Sequence, residues 1–300
     1  MTESGATIAT GSTEPTRPTA ENAARRRPAG TVTGLLRAMG AFWTHDFYEQ
    51  FSYPLTTVNR VISLGALIFL LYFGAQLVDE ALWSEATGAG FFLFALVGVV
   101  ATRLLGVTLG SFRSRIQRYQ VTGLLEASLM TRTPLWATLL VMPTYDLTLS
   151  LAGGAVLLSA GLWLAGVSVT ATGILVAGAY LVAGLVAFTA VGMISAAVTL
   201  VVKAGDPIAR LTTLASLLLS GAYVPREVLP APLAAAGEWL PMGPMVDGIR
   251  MGLFGATPAQ ETLPAHWRLF VLAAVLAPCA LFASAYAIRR VLRDGTLTHY

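Results

Sequence analysis

The chain alternates long apolar runs with short polar ones. Six runs stand out, at about 59–78, 89–110, 137–165, 171–202, 208–223 and 267–288. A helix crosses a bilayer in roughly 20 apolar residues, so the pattern predicts six transmembrane helices. The third and fourth runs are longer than that, which predicts tilt or projection past the hydrocarbon. Ahead of the first run the period changes. Leu36, Met39, Trp43, Phe47 and Phe51 recur at three- and four-residue steps, with Arg37, Thr44, His45 and Glu49 mostly on the other side. That spacing predicts an amphipathic helix in the membrane interface; the plainer alternative is a helix packed on the bundle. Pro54 breaks it before the first run. Residues 224–266 follow neither pattern. They hold Pro225, Pro230, Pro232, Pro241, Pro244 and Pro258 between apolar pieces too short to span. Proline-broken apolar pieces predict a re-entrant segment whose freed backbone groups are buried in protein or face a wet cavity. It would serve as an outer lid, as lining of a path, or as both.

Composition agrees with this reading. The chain has 300 residues, 55% of them hydrophobic and 12% charged, against about 25% charged in a soluble domain. The fold class expected is an all-α polytopic membrane protein. Its parts are a disordered cytoplasmic tail at 1–30, an amphipathic helix at 31–53, a six-span domain at 54–293 and a short tail at 294–300. Residues 1–30 have no apolar run, so they do not read as a cleaved signal peptide. The net charge of +3 sits at span ends, where it orients the protein rather than binding nucleic acid. Arg25–Arg27, Arg113, Arg115, Arg118, Arg132, Lys203, Arg289, Arg290 and Arg293 fall in one set of segments. The other set holds three basic residues, Arg226, Arg250 and Arg268, against Asp79, Glu80, Glu85, Glu227, Glu238, Asp247 and Glu261. By the positive-inside rule both termini are cytoplasmic, in a plasma or inner membrane.

Several chemistries are excluded. The single cysteine, Cys279, allows no intrachain disulfide and no C-x-x-C site, and His45, His266 and His299 form no metal-binding cluster. Ser220-Gly221 has no histidine at membrane depth to serve as base. The one lysine, Lys203, follows Thr-Leu-Val-Val and precedes Ala, so no Walker A phosphate loop exists. ATP hydrolysis of that kind needs a separate chain. The glycines of the third and fourth runs, such as Gly153-Gly154 and Gly178, read as close-packing positions.

Two charges lie well away from the ends of predicted spans, Arg103 and Asp146. Counting at ~1.5 Å per residue puts both about 12–14 Å from the cytoplasmic face. The expected arrangement is an ion pair between neighbouring spans; Arg103 snorkelling alone, or a substrate or proton role, are the alternatives. The basic stretch 111–136 between the second and third runs reads as a cytoplasmic loop with a small helix at 119–130, placed to meet a soluble partner.

In that stretch, TGLLEASLMTRTPLW is similar to the T-G-T-L-E-x-L-L-x-T-P pattern of the ABC-2 type exporter permeases. The match falls on Thr122, Gly123, Leu125, Glu126, Leu129, Thr131, Thr133 and Pro134. Leu124 departs from the usual Thr, and Arg132 interrupts the Thr-Pro. A second likeness, to the family's G-x-x-x-P-x-x-x-L-P run, falls on Gly221, Pro225, Leu229 and Pro230, followed by Leu240, Pro241 and Arg250. KAGDPIARL at 203–211 resembles a basic-Gly-Asp-Pro turn of one branch. The resemblance implies a permease subunit of an ATP-driven exporter. It would work as a dimer with a second copy or a paralogue, in membrane lipid, with two P-loop ATPase subunits. It implies no cofactor in this chain; ATP and Mg would be bound by the ATPase. Thr122, Gly123, Leu125, Glu126, Leu129 and Arg132 would make the ATPase contact, and Asp247 and Arg250 would belong to the outer segment. The rival reading of Glu126 is a solvated helix charge. An ATP-independent carrier is the alternative function, but repeated halves of the kind such carriers show are not evident. A membrane enzyme lacks a nucleophile–base set.

Overall fold

The computed structural model describes residues 39–40, 43–44, 46–48, 54–78, 90–121, 141, 143–202, 206–255 and 259–294. Among them the chain is helical and without strands. The elements are α1 (Pro54–Ala75), α2 (Phe91–Val121), α3 (Thr144–Leu164), α4 (Ala171–Val202) and α5 (Pro207–Leu219), then a 3-10 turn (Arg226–Val228), α6 (Ala231–Glu238), α7 (Met242–Phe254) and α8 (Ala259–Asp294). Five helices hold windows long and apolar enough to cross a membrane: Thr57–Ala75, Phe91–Phe112, Thr144–Leu164, Ala171–Thr199 and Trp267–Ala287.

The remaining expected span is shorter than its apolar run. α5 has 13 residues, about 20 Å at 1.5 Å per residue, against a hydrocarbon core of ~30 Å. It starts where the sequence dictates. The Asp206 carboxylate accepts from the Ala209 N–H at 3.0 Å, and Pro207 occupies the first turn, the favoured chemistry of a helix start. It stops at Leu219 because the chain turns through buried Gly221 at φ +75°, a conformation that favours glycine.

A second difference concerns α2. The basic stretch was expected to be loop from Ser111 onward, yet the helix runs unbroken to Val121. Arg and Gln are good helix formers, so leaving the hydrocarbon does not end the helix.

The core is built around two helices. α2 has 72% of its apolar window buried, whereas α1 has 0% and lies at the edge of the bundle against α2 and α3. The second is α7. Met242, Met245, Val246 and Ile249 are all within 1% of complete burial, and the helix packs on α4, α2 and α8. The α7 part of the proline-broken segment is therefore central core rather than a covering lid. Two glycines permit this. A Cβ on Gly98 of α2 would overlap the Ala222 carbonyl, and one on Gly248 of α7 would overlap the Tyr180 ring. Because the obstacle at Gly98 is backbone, Gly98→Ala must push the 220–224 turn off α2. The expected cost is roughly 1–3 kcal/mol, read as a lower unfolding midpoint of the purified chain in detergent.

Candidate functional site

Two polar junctions lie toward opposite ends of α2. The first is built on Arg115, three residues past the end of the apolar window at Phe112. Its Nη2 donates to Asp46 Oδ2 at 2.6 Å and to Asp146 Oδ2 at 3.0 Å, and its Nε donates to Asp146 Oδ2 at 3.2 Å. Burial works to lower the Arg115 pKa, but the hydrogen bond to Asp46 and the charges of Asp146 and Asp46 together raise it above its ordinary value. The guanidinium is thus charged throughout the accessible pH range. The same junction fastens the N-terminal helical residues. Trp43 Nε1 donates to Thr144 Oγ1 at 3.2 Å, and its ring stands edge-on to Tyr145 at 5.6 Å. Trp43 and Asp46 face the bundle, while Phe47 and Tyr48 are exposed. The bundle-packed alternative for the amphipathic helix is therefore seen at Trp43 and Asp46.

The partner expected for Asp146 was Arg103, and the structure pairs it with Arg115 instead. The reason is the continuation of α2. With the helix extending beyond Gly110, a second arginine is carried past the start of α3, nearer to Asp146. Arg103 and Asp146 do share a cavity of about 330 Å³ between α1, α2 and α3, together with Arg60, Ser111, Ser114 and Ser150. Sequence reasoning passed over Asp46 and Arg60. Each left a signal: Asp46 is an acid beside the apolar stripe, three residues after Trp43, and Arg60 is a cation at the very start of a predicted span.

The second junction is built on Arg250 of α7. Its Nη1 donates to the Gly221 carbonyl at 2.8 Å, and its Nη2 donates to the carbonyls of Ala222 and Phe94, both at 3.0 Å. The guanidinium also lies over the Phe94 ring, 3.5 Å from its centroid. Carbonyls freed at the end of α5 are thus met by a half-buried cation, which also ties the turn to α2. Arg226 pairs with Asp247, and Arg268 pairs with Glu238 while lying 5.7 Å from the Trp239 ring. The other outer residues shape the chain here. Pro225 precedes the 3-10 turn, Leu229 is the extended residue after it, Pro230 precedes α6, and buried Pro241 precedes α7. The residues named for the ATPase contact, Thr122, Gly123, Leu125, Glu126, Leu129 and Arg132, lie outside the described residues. They begin directly after the last residue of α2.

The sequence model of the ABC-2 type transporter family matches residues 38–254. The chain belongs to this family. The match opens at the N-terminal helical residues and closes at the end of α7, so both junctions lie inside it. No curated protein matches the chain in sequence. As an ABC-2 type family member with five apolar helices of spanning length, it is a multi-pass membrane protein and a transport permease rather than a P-loop ATPase.

Proposed function

We propose that the chain is the membrane permease of an ATP-driven exporter, acting as a dimer with a second copy or a paralogue. In this reading two cytoplasmic P-loop ATPase subunits bind ATP and Mg and supply the work. The family match over 38–254 carries the proposal. The topology proposed is six crossings with both termini cytoplasmic, in the plasma or inner membrane. α5 completes its crossing with the 220–224 turn, in which the carbonyls of Gly221 and Ala222 accept from Arg250. Such irregular backbone is tolerated at membrane depth when it is buried in protein. A dimer is supported by the unburied window of α1 and by Leu211, Leu214 and Leu218 of α5, all more than half exposed.

In this mechanism, closure of the ATPase pair pushes on the stretch after Val121 and on the N-terminal helix. Asp46 of the N-terminal residues is bonded to Arg115 of α2, and the other stretch follows directly on the last residue of α2, so both pushes arrive on α2. Glu126 and its neighbours make the ATPase contact; the broken segment and the spans handle substrate. The test uses the tagged full chain in its native host. We expect a P-loop ATPase to co-purify, and Glu126→Arg to reduce transport-linked ATP hydrolysis at least about tenfold at normal membrane level, as for a charge at the centre of an interface. Unchanged ATPase binding and transport would remove Glu126 from the contact. Proton-driven transport by the purified chain alone would overturn the proposal as a whole.

A further inference from the structure

The cavity between α1, α2 and α3 has a composition that neither junction explains. Two arginines line it, Arg60 from α1 and Arg103 from α2, with Ser111 and Ser114 of α2 and Asp146 and Ser150 of α3. Two of these side chains bring polar atoms that are buried and unsatisfied: Arg60 Nη1 and Ser150 Oγ. A buried donor without a partner costs roughly 1–3 kcal/mol, and more when charged. Neither arginine is paired with the carboxylate in the same cavity. Asp146 Oδ2 accepts from Arg115, and so does Oδ2 of the other acid near it, Asp46. Among the described residues, counting Arg60, Arg103 and Arg115 against Asp46 and Asp146 leaves one positive charge in excess.

Depth narrows the ligand further. Arg60 lies three residues inside the start of the α1 window at Thr57, Asp146 two inside the start of α3 at Thr144, and Ser114 two beyond the end of the α2 window at Phe112. The mouth of the cavity is therefore within about 5 Å, measured along the helices, of the ends of these apolar windows. Arg103 lies nine residues before Phe112, about 14 Å deeper along the helix, and forms the inner wall. Lipid phosphates sit at the edge of the hydrocarbon, not in water beyond it. Guanidinium groups offer forked donors that match phosphate oxygens. A cavity of about 330 Å³ is also within the ~300–1,000 Å³ range of small-molecule sites.

We propose that this cavity binds a phosphate oxyanion, presented by the headgroup of an anionic membrane lipid, between Arg60 and Arg103. The anion pairs both arginines, and Ser150 Oγ donates to it. The inference is independent of ATP coupling and is tested without an ATPase. The full chain is purified in mild detergent and titrated separately with phosphatidylglycerol, diacylglycerol and inorganic phosphate. Bound lipid is counted by native mass spectrometry, and phosphate binding is read as a rise in unfolding midpoint. We expect phosphatidylglycerol to be retained, diacylglycerol not, and the Arg60→Gln/Arg103→Gln variant to lose retention at least about tenfold. Displacement of the lipid by inorganic phosphate, or arginine-dependent binding of inorganic phosphate alone, would support the oxyanion site, and the latter would make free phosphate its source. Arg103→Lys keeps a charge and the cavity wall, so it should retain binding better than Arg103→Gln; this comparison decides if the double variant does not fold. Retention of phosphatidylglycerol by Arg103→Gln equal to wild type, or equal retention of phosphatidylglycerol and diacylglycerol with no effect of phosphate, would overturn the proposal.

Discussion

Arg115→Gln should destabilise the purified chain by about 3–5 kcal/mol, the range for removing one partner of a buried ion pair. Its carboxylate partners are little exposed, with 8% of the Asp46 side chain and 29% of Asp146 accessible. Without the guanidinium, two like charges face each other around one vacated position, and neither has water enough to replace what it lost. The loss should extend past the pair itself. Asp46 is one of the groups that hold the N-terminal helical residues, so that helix should detach and expose Trp43. Tryptophan fluorescence would report this alongside the unfolding midpoint. Asp46→Asn added to Arg115→Gln should cost less than the sum of the single changes, because one like-charge contact is removed. If Arg115→Gln unfolds like the wild type, the junction is a surface ornament and the account of Asp146 fails with it.

Arg250→Ala is expected to cost about 3 kcal/mol, and to cost it at the opposite end of the bundle. Hydrogen bonds from a charged donor contribute roughly 1.5–3 kcal/mol each, and they do not add. Three carbonyls depend on this guanidinium. Two of them, on Gly221 and Ala222, lie in a turn where no helix supplies an alternative donor. Arg250→Lys should recover only part of the stability, because an ammonium cannot reach three carbonyls in the geometry of a planar fork and stack on Phe94 as well. Limited proteolysis of the 220–230 region should be faster in Arg250→Ala than in Arg250→Lys. Equal rates would mean that charge alone, and not the fork, holds the turn.

Hydropathy read the membrane class and five of the helices, because apolar length is a local property. It failed where structure depends on partners. The polar residues after Gly110 marked the edge of the hydrocarbon, which was taken for the end of a helix; only the packing of Arg115 against α3 and Asp46 shows that the helix goes on. Asp146 was assigned to Arg103 for the same reason, since a depth count needs to know where each helix ends. The proline-broken segment was legible as short apolar helices, but its proline spacing could not reveal that Met242–Ile249 is the centre of the core. That follows from Gly98, Gly173 and Gly248, which let backbones and rings approach, and glycine contacts between distant elements leave no periodic trace. The motif residues Gly221 and Arg250 were picked out as part of one segment. Their direct bond joins positions 29 apart in the chain, a pairing that no spacing rule supplies.

The length of α2 has a mechanical consequence. Its 31 residues make a rod of roughly 46 Å, anchored near one end by Arg115 and near the other by the Arg250 bond to Phe94. Midway between those anchors, Leu104 and Leu105 are 1% and 0% exposed, packed in the core. A stiff beam held at its middle behaves as a seesaw: displacement at Arg115 swings the Phe94 end in the opposite sense. Under the export mechanism proposed above, opening on one side and closing on the other would then be a single movement.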